Sequence, residues 1–145
     1  MFEFSKVRNV KSPSRSHPGD AGIDFYIPDD IESMLLMPKN RIAIPSGIRV
    51  NVPFGYALIA LNKSGIAHTL GLIVTAQVVD SGYQGEVHLC VHNLSDAPVR
   101  LQSGNKLVQF IYMPVVLEDP KEVEEKDLYP SESERGENGF GSTSK

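Results

Sequence analysis

Apolar and polar positions alternate with a period of two along many short stretches of the chain. Ile42 and Ile44 alternate with Arg41 and Ala43, and Ile48, Val50 and Val52 with Arg49 and Asn51. Val87, Leu89 and Val91 alternate with Glu86, His88, Cys90 and His92. Successive strand residues point to opposite faces, so each pattern predicts a half-buried strand. Residues 2–7, 22–27, 56–61, 73–79 and 106–112 complete the strand candidates. Pro13, Pro18, Gly19, Gly22, Pro28, Pro38, Pro45, Gly47, Pro53 and Gly55 leave few stretches long enough for a helix. One short helix is expected after Lys63, capped by Ser64 and ended by Gly71. Many short strands with turn signals every ~8–12 residues predict an all-β sandwich or closed barrel.

The pattern breaks after Pro114. Residues 1–117, read as one β domain, carry ten Lys/Arg against nine Asp/Glu. Residues 118–134 carry two against eight and have few apolar positions, which predicts an acidic flexible linker. Residues 135–145 are rich in Gly, Ser and Thr yet keep Arg135 and Phe140, more than a solubilising tail needs. The near-neutral body lacks the basic footprint of a duplex-binding protein, so a nucleic-acid polymer is not expected as a partner. A single nucleotide needs only a few placed cations and stays open.

At 145 residues the chain predicts one domain with a tail. Its single cysteine excludes an internal disulfide and a cysteine-rich zinc framework. No apolar run reaches the ~18–20 residues of a membrane span, and charges interrupt the N-terminus where a signal peptide needs its apolar stretch. No membrane partner is expected. The expected location is cytoplasmic, that of a host cell if the chain is viral, which makes the sequons at Asn62 and Asn93 accidental.

Three segments carry candidate chemistry. Asp80-Ser81-Gly82-Tyr83-Gln84-Gly85 presents a carboxylate and a phenol at a strand end, on residues that also suit a plain hairpin turn. Lys63-Ser64-Gly65 sets a cation, a hydroxyl and a glycine at a helix start, an arrangement that serves an anion or simply a cap. It is no P-loop, because Gly-x4-Gly-Lys-Ser/Thr is absent. In the tail, Arg135 suits phosphate, Phe140 offers a stacking face for a base, and the glycines let backbone approach a ligand. His88 and His92 share a strand face but stand ~13 Å apart, too far to share one metal ion. Cys90, mid-strand, reads as packing.

In order along the chain, five segments together resemble the trimeric dUTP pyrophosphatase (dUTPase) family. Asp20-Ala21-Gly22-Ile23-Asp24-Phe25 is similar to Ala-Gly-x-Asp-Leu, and Lys63-Ser64-Gly65-Ile66-Ala67 to Arg-Ser-Gly-Leu-Ala. Val79-Asp80-Ser81-Gly82-Tyr83-Gln84-Gly85 is similar to Ile-Asp-x-x-Tyr-Arg/Gln-Gly, and Gly104-Asn105-Lys106-Leu107-Val108-Gln109 to Gly-x-Arg-Ile-Ala-Gln. Arg135-Gly136-x-x-Gly139-Phe140-Gly141-Ser142-Thr143 is similar to Arg-Gly-x-Gly-Gly-Phe-Gly-Ser-Thr. Lys63 and Lys106 stand where the family usually has arginine, Asn62 where it has proline, and Gln77 where it has glycine.

The resemblance implies a jelly-roll-like, distorted β-barrel of the β-clip kind, with one short helix and a flexible C-terminal arm. It implies a homotrimer with shared active sites that hydrolyses dUTP to dUMP and pyrophosphate with Mg²⁺, keeping uracil out of DNA and supplying dUMP for dTMP synthesis. By position, Asp80 orients the water that attacks the α-phosphate. Tyr83 packs on the deoxyribose, with Val74, Gln77, Val79 and Phe140 around sugar and base. Lys63, Ser64, Gly65, Gln109, Arg135, Gly141, Ser142 and Thr143 hold phosphates, and Asp24 meets the magnesium through water. Residues 118–134 span at most ~55–60 Å when extended, enough to carry residues 135–145 to a neighbouring subunit as a lid. Two alternatives share the fold: a dual dCTP/dUTP pyrophosphatase, suggested by Gln77, and a dUTPase-like regulatory or binding protein.

Overall fold

The computed structural model describes residues 2–137. Ten strands follow in chain order: β1 (Glu3–Lys6), β2 (Ile23–Tyr26), β3 (Met34–Leu36), β4 (Arg41–Asn51), β5 (Tyr56–Leu61), β6 (Leu72–Val74), β7 (Val78–Asp80), β8 (Glu86–Asn93), β9 (Val99–Leu101) and β10 (Lys106–Pro114). Helix α1 (Ser64–Leu70) lies between β5 and β6, and a turn of 3₁₀ helix spans Glu125–Asp127. Every pairing is antiparallel. The strands form two four-stranded open sheets, ordered β1-β4-β8-β6 and β2-β10-β5-β7, and a β3-β9 ribbon. This is the expected mostly β, jelly-roll-like architecture. Among the described residues no helix is long and apolar enough to cross a membrane.

The alternating strands bury their expected faces. Ile44, Ile48 and Val50 of β4, Val87, Leu89 and Val91 of β8, and Leu58 and Ala60 of β5 are all buried in one core. Phe25 and Phe110, on paired strands, put their ring centroids 4.5 Å apart at its centre, a contact worth about 0.5–1.5 kcal/mol beyond the area that it buries.

Three expectations change. The two alternating runs around Pro45 and Gly47 are one strand, because β4 bulges there against β8 by two residues, which keeps the inward phase through Ser46. Gly47 takes φ +74 and has Val10 where a side chain would go; its N–H donates to Glu86 Oε1 at 2.7 Å, and Arg8 Nε donates to the same oxygen at 2.9 Å. The single strand expected over 73–79 is two, β6 and β7, in different sheets. The helix starts at Ser64 with extended Lys63 as its N-cap and no side-chain cap bond, so Ser64 does not cap it; Gly71, at φ +66, ends it as expected. Strands β3 and β9, three residues each, are too short for their period to be read from sequence.

Residues 115–137 add no strand and no core residue.

Candidate active site

Sheet β2-β10-β5 sets the first half of the site. Asp24 on β2, Gln109 on β10 and Leu61 on β5 lie side by side in register. Asn62 and Lys63 continue from Leu61 into α1. A register shift between Lys106 and Val108 makes Leu107 and Val108 both bury. That bulge re-aims the strand, so Lys106, Gln109 and Ile111 all face one cavity although the first two are three positions apart. The cavity measures about 820 Å³ and is lined also by Ser16, Lys63, Ser64, Gly65 and Arg100.

At its floor is Asp24, only 3% exposed. Its Oδ1 pairs with Lys63 Nζ, while Lys106 Nζ reaches Oδ2 at 2.9 Å and Ser16 Oγ donates to Oδ2 at 3.2 Å. Lys106 also donates to Ser16 Oγ at 2.9 Å. Burial pushes the Asp24 carboxyl up, but hydrogen bonds and charge from the two lysines outweigh it and hold the group below the usual carboxylate range. The Lys106 ammonium is raised, chiefly by its hydrogen bond to Asp24. Gln109 Nε2 donates to the Asn62 carbonyl at 2.8 Å. Gly22 makes that pose possible: a Cβ there would sit 2.2 Å from Gln109 Oε1.

The sign of the Asp24 shift gives a stability test. A depressed carboxyl contributes stability above its unfolded value, ~3.9, and loses it as pH falls through the lower folded value. Asp24→Asn is expected to lower the melting temperature most near neutrality, with the gap to wild type narrowing below about pH 3. Melts across pH 2–8 check this; a gap constant with pH would overturn it.

The second half lies elsewhere. Asp80, exposed, ends β7, and the turn that follows has Gly82 at φ +83. Tyr83 folds back over Gly85 and donates from its hydroxyl to the Glu86 carbonyl at 3.0 Å; a Cβ on Gly85 would meet the Tyr83 hydroxyl at 2.3 Å. Val79, Asp80 and Tyr83 line a smaller cavity of about 230 Å³ with His88, Cys90 and Phe110. Burial pushes the Cys90 thiol up. Adjacent strand residues point to opposite faces. Gln109 and Ile111 line the first cavity and Phe110, between them, the second. The two cavities therefore open on opposite faces of β10 and share no residue.

Of the expected site residues, Asp24, Lys63, Ser64, Gly65 and Gln109 come together, as do Asp80, Tyr83 and Val79. The Val74 side chain is buried in the core, and Gln77 lines neither cavity, its carbonyl accepting from Ala60 N–H at 2.6 Å. Arg135 is exposed. Phe140, Gly141, Ser142 and Thr143 lie outside the described residues. Sequence reasoning assigned no role to Lys106, Arg100 or Ser16. The double burial at Leu107 and Val108 is the one trace of the bulge that brings Lys106 in.

A family model described as dUTPase matches residues 8–144. The "Deoxyuridine 5'-triphosphate nucleotidohydrolase" of Mycolicibacterium gilvum (strain PYR-GCK) is 36% identical over 135 residues, covering 90% of this chain and 86% of its own. The protein of the same name from Corynebacterium diphtheriae is 37% identical over 134 residues, covering 90% and 84%. The Staphylococcus bacteriophage 80alpha dUTPase, solved with dUPNHPP, superposes with a TM-score of 0.85 at 25% identity, over 98% of this chain and 97% of that one. The chain belongs to the dUTPase family.

Proposed function

We propose that the chain hydrolyses dUTP to dUMP and pyrophosphate, as a dUTP diphosphatase. The observation that carries this reading is the cradle in which Lys63, Lys106, Gln109 and the first residues of α1 converge on one open cavity. Such donors suit a run of phosphates. Water attacks the α-phosphorus, the bond to the bridging oxygen breaks, and pyrophosphate leaves. Asp80 orients that water and takes its proton; an aspartate is a weak base, so its placing of the water counts as much as the transfer. Tyr83 packs on the deoxyribose and leaves no room for a 2′-hydroxyl.

Cavities on opposite faces of β10 cannot serve one ligand within one copy. In the homotrimer that the family resemblance implies, each active site takes its phosphate half and its Asp80–Tyr83 half from different copies. Arg135 and residues 140–143 close over the outer phosphates and the base as a lid.

The residues present fit a magnesium ion held mainly by substrate. Among the described residues no three His, Cys, Asp or Glu cluster as a metal cage, and magnesium prefers phosphate oxygens and water. Asp24, the one buried carboxylate at the cavity, would meet it through water; when bound, the ion offsets phosphate charge. The product dUMP would feed thymidylate synthesis, and removing dUTP would keep uracil out of DNA.

Dual use of dCTP and dUTP is the second reading. Its one ground is the residue type at Gln77, an amide with both a donor and an acceptor, whose side chain lines neither cavity within one copy.

Pyrophosphate release with Mg²⁺ from dUTP, dCTP, dTTP and UTP, side by side, tests the proposal. Release from dUTP alone is expected. Comparable release from dCTP would establish the dual reading, and none from any nucleotide would leave a binding or regulatory protein.

A further inference from the structure

Strand β6 is the edge of its sheet, paired only with β8. Thr75 N–H donates inward to the Cys90 carbonyl of β8 at 3.1 Å. N–H groups of neighbouring strand residues point to opposite sides, so Val74 N–H points off the open edge. It meets the side chain of Asn62, whose Oδ1 accepts it at 2.7 Å. Asn62 belongs to the two-residue link between β5 and α1, so this single side chain ties the edge of one sheet to the end of a strand in the other. It does so where the chain leaves β6 for the 75–77 connection, which crosses between sheets to β7 and Asp80.

Residues 75 and 77 are tied to the neighbouring strands by main-chain bonds, from Thr75 N–H to the Cys90 carbonyl and from Ala60 N–H to the Gln77 carbonyl. These any sequence could make. The Asn62 bond depends on one residue type having a short side chain with an acceptor. An edge N–H left without a partner would let the connection shift.

We propose that Asn62 is a positioning residue that sets the base preference of the site by fixing the Val74–Gln77 connection, whose Ala76 lines the Asp80–Tyr83 cavity; this rests on the reading of that cavity, given above, as the sugar-binding half of the site. Its main chain does separate work. Gln109 is held by the Asn62 carbonyl, not by its side chain, so substitutions at Asn62 leave that bond in place and act through the connection.

The test compares kcat and KM for dUTP and dCTP in the full-length wild type, Asn62→Leu, Asn62→Ala and Asn62→Asp. Leucine and alanine remove the acceptor. Both are expected to reduce the preference for dUTP over dCTP about tenfold, mainly through a higher KM for dUTP, with kcat within about threefold. Aspartate keeps an acceptor oxygen at the same place, and its charge weighs on both nucleotides alike, so the preference is retained. Amide exchange at Val74 is expected to be slow in the wild type and in Asn62→Asp, and fast in the other two. An unchanged preference in Asn62→Leu and Asn62→Ala, or a fall in kcat equal for both nucleotides, would overturn the proposal. A wild type that turns over dUTP while the variants keep its preference tells against Asn62 alone. A wild type inactive on dUTP tells against the reading of the site, and slow Val74 exchange in Asn62→Leu would then refute the anchoring too.

Discussion

Asp80→Asn is expected to lower kcat for dUTP by about 10²–10⁴-fold while leaving nucleotide affinity within a few fold. The substitution keeps size and hydrogen-bonding reach and removes only the charge that accepts a proton. Asp80 is exposed at the end of β7, outside the core, so the fold has no stake in it. Its paired neighbour, Ala57, presents no charge that could replace it. Steady-state pyrophosphate release and equilibrium binding of a non-hydrolysable dUTP analogue separate the two effects. Undiminished turnover would remove Asp80 from the reaction. Lost binding with an intact melting curve would make it a substrate contact instead.

The second large effect is expected from the tail. Truncation after Pro130 removes Arg135 and the residues from Phe140 to Thr143. Turnover should fall at least about 10²-fold, because a lid supplies positioning that the cradle alone lacks. Melting should move by no more than about 2 °C, because residues 115–137 contribute nothing to the core. A fully active truncation would refute the lid. The proposed sharing of sites sharpens the test: Asp80→Asn and the truncation, each inactive, should recover part of the activity when mixed and allowed to exchange subunits, since some sites would then hold one intact Asp80 and one intact tail. No recovery would place both elements in the same copy's site.

Much of the fold was legible because the period-two signal survives wherever a strand has a dry face and a wet one. The candidate 56–61 is a strand with those bounds, and the alternation from Glu86 to His92 lies within β8 and falls one residue short of its end. The signal misled where a breaker residue did not break. Pro45 and Gly47 look like a turn, yet a bulge of two residues keeps Ile44, Ser46 and Ile48 inward and β4 continuous. The reverse happened at Thr75-Ala76-Gln77. No glycine or proline marks that connection, so a change of sheet passes for one strand. Among the candidate residues, types and order along the chain brought forward Asp24, Lys63, Gln109, Asp80 and Tyr83. Their partition into two cavities was not legible, because it depends on which face of β10 each residue meets. Lys106 stands in the fourth segment, yet its place beside Asp24 was not legible there, because it comes from a register shift that no side-chain type announces.

Asp24 already satisfies Lys63 and Lys106 before any anion arrives. A phosphate that reaches these lysines trades one ion pair for another, so each contact gains only the difference between two similar interactions. Such an exchange rewards number. A polyphosphate that engages both lysines and further donors at once would win them from Asp24, whereas a single phosphate group that reaches one of them would yield it back. The carboxylate at the floor of the cavity is thus a resident competitor for both lysines.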